Sequence, residues 1–424
     1  MSKRVLLIAF HFPPVRGASG MQRTLKFSKH LPDFGWEPLV LTANPRAYLQ
    51  TGTEQLGEIA PETIVKRAFA LDSARHLSIL GKYPRFLAWP DRWSSWWLGG
   101  VISGLGMIRR FRPQVIWSSH PIATAHLIGH TLHRLSGIPW MADFRDPMHS
   151  PAYPEDPTVR RAYQWIEEKA VRNSTRSVVV TPGMGRLFRT RYPELDPGRF
   201  TVIPNGYEES DFPPGLDAEI PEKKPTDPLV LLHSGHLYPN HVHRDPGPFL
   251  AALLILQKQG IIGSKTSPDG TTQGLRVILR GSGHEGMLQA LVEKMGIDDM
   301  VRIEPLIPYR EALAEMLRVD GLLLFQGPDL STQIPAKLFE YFRVQRPILA
   351  LTGPGGDTSD LMARAGLEPL AEMGDRKGIV RGLPVALDAI RQGGYPIISR
   401  EEAQRHSRHA RCRELAKTLD EMIS

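Results

Sequence analysis

Short apolar runs alternate along the chain with longer stretches in which apolar residues recur every three or four positions. Runs of strand length fall at residues 5–10, 38–41, 115–117, 140–142, 177–180 and 201–203. Helical periodicity occupies 21–34, 122–135, 159–171 and 184–191 between them. Near-continuous apolar strands separated by amphipathic helices predict a parallel sheet covered on both faces. The pattern stops at 204–228, a stretch rich in Pro, Gly, Asp and Glu that reads as a linker. A second series follows, with strands at 229–232, 276–279, 301–303, 321–325 and 347–351 and helices at 249–257, 287–295, 311–317 and 336–342. The fold class predicted is therefore α/β, with two doubly wound, Rossmann-like domains. The divisions are 1–205, a linker at 206–228, a second domain at 229–398, and a mixed-charge helical tail at 399–424 that returns to the first domain. Residues 263–274 read as an exposed polar loop. A ligand cleft is expected where the carboxyl ends of the two sheets face each other.

Composition narrows the class. Of 424 residues, 41% are hydrophobic and 23% charged, as in ordinary globular proteins. The single cysteine, Cys412, excludes an intrachain disulfide framework and fits a reducing, cytoplasmic setting. The apolar start is short and is interrupted by Pro13 and Pro14, which argues for a buried strand over a signal peptide. Residues 1–212 hold 27 Lys and Arg against 18 Asp and Glu, while the remainder is near balance. That asymmetry suggests that the first half meets an anion. Nucleic acid is not the expected partner, because no recognition motif accompanies the charge.

Four places could carry chemistry. After the first strand, Arg16, Gly17 and Gly20 precede a helix whose free N–H groups suit an anion. Asp143, Arg145 and Asp146 follow the strand at 140–142, and His120 follows the strand at 115–117. In the second half, Gly281 and Gly283 follow the strand at 276–279. Finally, Pro335 opens a helix that carries Lys337 and Glu340 three positions apart near its start. Histidines at 233, 236, 241 and 243, and at 126, 130 and 133, match no standard zinc spacing, so no metal is expected.

Taken in order, Phe12-Pro13-Pro14 with Gly17 and Gly20, Asp143-Phe144-Arg145-Asp146, Val202-Ile203-Pro204-Asn205-Gly206, Arg280-Gly281-Ser282-Gly283 and Pro335-Ala336-Lys337-Leu338-Phe339-Glu340-Tyr341 resemble the family 4 glycosyltransferases of the GT-B fold. The resemblance implies retaining transfer of a sugar from a nucleotide-sugar donor to an acceptor hydroxyl, without metal or other cofactor. It places the donor mostly on the second domain and the acceptor mostly on the first. Under it, His120, Arg244 and Lys337 are the catalytic candidates. Gly17, Gly20, Gly235, His236, Gly281, Gly283, Thr332 and Glu340 become donor-binding, and Arg16, Asp143, Arg145 and Asp146 lie on the acceptor side. The expected setting is glycan, surface polysaccharide or glycolipid synthesis, with a glycan, lipid-linked or small-molecule acceptor. Two departures stand out. Thr332 occupies the place of the family's first glutamate, and Gly235-His236 with His243-Arg244 occupies that of a Gly-Arg and Lys-Gly pattern. A non-catalytic sugar-nucleotide binder and a nucleotide-sugar epimerase are the alternatives.

Residues 83–111 hold Trp89, Trp93, Trp96 and Trp97, with Lys82, Arg85, Arg92, Arg109, Arg110 and Arg112 around them. Such a mixture suits the interface of an anionic membrane. The expectation is peripheral binding at the inner face of a membrane through Trp89 and Trp93. The competing expectation is that Trp96, Trp97 and Ile102 form the inner face of a core helix.

Overall fold

The computed structural model describes residues 3–16, 20–80, 82–151, 153–212, 226–239, 244–267 and 269–424. Gly17, His241 and His243 lie outside the described residues. The chain forms two compact units, one of residues 1–205 with 408–424 and one of residues 206–407.

In the first unit the strands are β1 (Lys3–Ile8), β2 (Trp36–Ala43), β3 (Ile64–Ala68), β4 (Val115–Ser119), β5 (Trp140–Phe144), β6 (Arg176–Val179) and β7 (Phe200–Val202). They lie in the order β3-β2-β1-β4-β5-β6-β7, every pair parallel. The helices are α1 (Met21–His30), α2 (Ser73–His76), α3 (Trp96–Phe111), α4 (Ala123–Ser136), α5 (Pro157–Asn173) and α6 (Pro182–Arg191). Their starts are written in the sequence. Asp156 and Thr181 cap α5 and α6 through their side chains, and a proline follows each cap. The order reverses between β1 and β4, so the loops after these two strands leave in opposite directions and open a crevice at their carboxyl ends.

The second unit repeats the plan. Its strands are β8 (Leu229–Ser234), β9 (Ile262–Gly263), β10 (Gln273–Arg280), β11 (Val301–Glu304), β12 (Gly321–Phe325) and β13 (Ile348–Leu351). The order is β11-β10-β8-β12-β13, with β9 paired to β10. Its helices are α7 (Gly247–Lys258), α8 (Glu285–Met295), α9 (Tyr309–Arg318), α10 (Ala336–Val344), α11 (Asp357–Arg364), α12 (Arg376–Arg391) and α13 (Arg400–Arg405). Here the switch in strand order lies between β8 and β12. The final helix, α14 (Arg408–Glu421), packs on the first unit, where Cys412, Leu415, Ala416 and Leu419 join the cluster of Leu25, Phe27 and Leu31.

Several elements differ from the sequence reading. Edge strand β3 escaped it, because Ile-Val-Lys-Arg-Ala alternates around half-exposed positions. The helix expected at 21–34 ends at His30 and tightens into a 3-10 turn over Leu31–Phe34, closed by Gly35 at φ +78°. The tail is two helices, and the first of them, α13, belongs to the second unit. The stretch at 263–274 begins and ends in strand, at β9 and β10.

Candidate active site

In the second unit the loops after β8 and β10 are laced together. Gly235 N–H donates to the Arg280 carbonyl at 2.9 Å and Leu237 N–H to the Ser282 carbonyl at 3.0 Å. Gly281 and Gly283 adopt φ of +60° and +78°, and Gly235 one of +119°. A Cβ at Gly283 would lie 2.7 Å from the His236 ring, and one at Gly235 would lie 2.8 Å from the Lys337 ammonium. Glycine is therefore required both by conformation and by the close approach of these side chains.

Lys337 stands in the first turn of α10, and its Nζ lies 3.1 Å from His233 Nε2. His233 is fully buried, and its Nδ1 lies 2.9 Å from the Leu323 carbonyl. Nδ1 must carry the proton to make that bond, so Nε2 is the acceptor for the ammonium. Burial first, and then the charge of Lys337, hold His233 well below the ordinary imidazole range, so it is neutral. Burial, followed by the nearby Arg244 charge, pushes Lys337 down to about 7, while Glu340 acts in the opposite direction. Two cations and a neutral imidazole thus crowd the carboxyl end of β8, where an anion would relieve their repulsion.

Glu340, one turn along α10, accepts a hydrogen bond from Tyr309 at 2.7 Å. Thr332 is exposed on the loop that joins β12 to α10. That loop is anchored by buried Gln326, whose amide donates to the Leu330 and Gln333 carbonyls at 2.9 and 2.8 Å. Sequence reasoning passed over Gln326. Its signal was a polar residue placed directly after the fully buried strand β12. His236 is exposed and stacks at 6.4 Å on Tyr238, which meets His284 edge-on at 5.8 Å.

The corresponding place in the first unit is built differently. Arg23 and Asp143 form a buried pair: Arg23 Nη2 donates to Asp143 Oδ1 at 2.8 Å and Nε to Oδ2 at 3.0 Å. Arg23 also donates to the Ile203 and Pro204 carbonyls at 3.0 and 3.1 Å, and the Ser119 hydroxyl donates to Asp143 at 2.8 Å. Asp143, placed on the acceptor side by the sequence reading, is committed to tying β5, α1, β4 and the end of β7 together. Its partner is Arg23 and not the adjacent Arg145.

Beside this clamp, a small crevice is lined by Phe10, His11, Gly20, Thr24, His120 and Pro121, among others. Both ring nitrogens of His120 and the Nδ1 of His11 are buried without a hydrogen-bond partner, as is Arg145 Nε. Burial pushes His11 down to about 4 and His120 well below its usual range, so both imidazoles are neutral. A Cβ at Gly20 would fall 2.6 Å from Arg145 Nη1 and 3.0 Å from His11 Nδ1. The glycine lets the chain run close to both. His11 is the residue the sequence reading omitted from this group. Asp146 is exposed next to Arg145, and Arg16 is exposed and lies 3.8 Å from Glu54. The histidines on α4 all pack around the Trp140 ring, and His126 also lies 2.8 Å from the Ser118 hydroxyl.

The tryptophans divide sharply. Trp96 is buried, and half-buried Trp93 packs 4.8 Å from Phe10 and donates to the Ala47 carbonyl at 3.1 Å. Trp89 and Trp97 are exposed, together with Leu98, Ile102 and Leu105 on α3. The expectation that Trp93 faces a membrane is thereby replaced by a role in the core, and the inner-face expectation fails for Trp97 and Ile102. Among the described residues no helix is long and apolar enough to cross a membrane.

Residues 19–206 match the model of the glycosyl transferase 4-like domain. No curated protein sequence matches the chain significantly. Among solved structures, sucrose-phosphate synthase from Thermosynechococcus elongatus superposes with a TM-score of 0.64 at 14% identity, covering 99% of each chain. Anabaena HepE, solved in complex with UDP, gives 0.61 at 13% identity, over 99% of this chain and 100% of that one. A UDP-N-acetylglucosamine 2-epimerase gives 0.53 at 11% identity, over 99% and 96%. Residues 19–206 are thus similar to a glycosyl transferase 4-like domain, and the chain as a whole has the GT-B fold of two Rossmann-like units.

Proposed function

We propose that the protein transfers a sugar from a nucleotide-sugar donor to an acceptor hydroxyl, with retention of configuration, in glycan, surface polysaccharide or glycolipid synthesis. The observation that carries this reading is the cation pair, Lys337 with Arg244, beside the glycine-built loops at the carboxyl end of β8. Cleavage of the glycosidic bond leaves a nucleoside diphosphate, and the negative charge that develops on it needs fixed donors already in place. Lys337 supplies a mobile charge, and neutral His233 holds it in position without competing for the anion. The close-packed glycine loops allow phosphate oxygens to approach the backbone. Glu340, aligned by Tyr309, offers its carboxylate to donor hydroxyls such as those of a ribose. HepE, a structural neighbour, was solved with UDP, which supports a nucleotide-sugar donor.

In the first unit, His11 and His120 present unpartnered neutral nitrogens that suit the hydroxyls of a sugar, and Arg145 suits an anionic group beside them. Asp143 and Arg23 hold the frame and take no part in contacting the substrate. On this proposal the acceptor lies over the mouth of this crevice, at the switch between β1 and β4.

A lipid-linked acceptor at an anionic membrane is favoured by one observation. Leu98, Ile102 and Leu105 recur at i, i+4 and i+7 on exposed α3, and Arg109 continues the same face. The direct test is release of nucleoside diphosphate from a panel of nucleotide sugars, with and without candidate acceptors. Acceptor-dependent release with a sugar-bearing product establishes transfer. Binding without turnover points to the non-catalytic alternative, and an altered free nucleotide sugar points to the epimerase.

A further inference from the structure

Away from both sites, three potential metal ligands meet where the two ends of the chain meet. His30 closes α1, Asp33 lies in the 3-10 turn that follows, and His409 opens α14. Asp33 Oδ2 stands 3.6 Å from His30 Nδ1 and 3.4 Å from His409 Nε2. All three ligand atoms lie within 4.8 Å of one another. A tetrahedral ion with bonds of about 2.0–2.1 Å separates its ligand atoms by about 3.4 Å. The two carboxylate–imidazole distances therefore already match a coordination shell, and the two imidazoles offer ligand atoms within 4.8 Å of each other.

The rings are held in place for this. His30 and His409 meet edge to face at 5.3 Å, His409 rests on Phe34 at 5.0 Å, and Arg413 covers the same Phe34 ring. The far end of α14 is fastened by Asp420, which accepts from Lys3 at 2.6 Å and from Trp36 Nε1 at 3.0 Å. The near end has the histidine–aspartate cluster at the corresponding place.

We propose that His30, Asp33 and His409 bind a borderline divalent transition metal, zinc or a chemically similar ion, which clamps the start of α14 onto α1. Two imidazoles and one carboxylate suit zinc, cobalt or nickel and do not suit magnesium or calcium, which favour shells made of oxygen alone. The fourth position is open to water. The site is structural, and its occupancy stabilises the first unit by mass action, since the unfolded chain holds the ligands far apart.

The full chain, stripped with chelator, is titrated with Zn²⁺ by calorimetry, and with Co²⁺ by visible spectroscopy, at a pH above the ordinary histidine value of about 6.5. The expected result is binding of one ion per chain, intense tetrahedral-type cobalt bands, a raised unfolding temperature with Zn²⁺, and no effect of Mg²⁺. His409→Ala and Asp33→Asn, both at half-exposed positions, should each retain the fold by circular dichroism and lose the cobalt bands and the thermal shift. Absence of one-to-one binding in the wild-type chain, or bands and shift that persist in both variants, overturns the proposal.

Discussion

The two units use the same strand switch in opposite ways. In the first, the charges at the strand ends are spent on the fold, because Arg23 and Asp143 satisfy each other in the interior. What remains at the crevice is a pair of neutral imidazoles without partners, His11 and His120, with the Arg145 guanidinium beside them. In the second, the fold leaves the cations unspent, with Lys337 pushed down to about 7 beside Arg244. A buried pair that neutralises itself binds nothing further. A strained cation binds an anion well, because the ligand supplies what the protein withheld. Under the proposed function, the contrast suits a hydroxyl-rich acceptor on one unit and a diphosphate on the other.

The largest effect is expected from breaking the clamp of the first unit. Asp143→Ala leaves Arg23 buried and unpaired, which should destabilise the unit by about 3–5 kcal/mol. Chemical denaturation followed by fluorescence reads the loss, and an unshifted midpoint would show that the pair does not hold the frame. The next effect is catalytic. Lys337→Met should lower turnover by roughly 10²–10³-fold, the range for removing one donor to a developing oxyanion. His120→Ala should leave the affinity for nucleoside diphosphate intact while it impairs transfer. Equal loss of both would erase the division of labour between the units.

The fold was legible in the chain because periodicity reports burial, and parallel strands buried on both faces are nearly unbroken apolar runs. Strand β3, exposed along one side, lacked that signal. Gly281 and Gly283 drew notice by following an apolar strand, Lys337 and Glu340 by their places near a helix start, and Gly235 through the family resemblance. The Arg23–Asp143 pair was hidden, since 120 residues separate its members. His11 and Gln326 were hidden too, as single polar residues that gain meaning only from what surrounds them.

Because the folded pKa of Lys337 lies below its unfolded value, the folded state binds fewer protons between about 7 and about 10.4, and stability rises with pH through that window. The wild-type chain should gain stability there relative to Lys337→Met, and parallel pH profiles would place the ammonium in a solvated environment. A smaller change is expected at Glu340. Removing its carboxylate with Glu340→Ala should weaken donor binding by about 1.5–3 kcal/mol, measurable by calorimetry with a nucleoside diphosphate, and unchanged affinity would reduce Glu340 to a partner of Tyr309. The smallest effect concerns the exposed face of α3. Ile102→Glu should abolish co-sedimentation with anionic vesicles at low salt. For the wild-type chain, binding should fade as the Debye length falls from about 10 Å at 0.1 M salt to about 3 Å at 1 M.

The central claim is that the β8–β12 switch of the second unit holds a diphosphate through Lys337. It is tested most directly by calorimetric titration of the wild-type chain and Lys337→Met with a nucleoside diphosphate and with the same nucleoside lacking phosphates. The account predicts that the substitution weakens the diphosphate markedly and leaves the weak nucleoside interaction unchanged, so that the gap between the two ligands narrows. An equal gap in both proteins would contradict it.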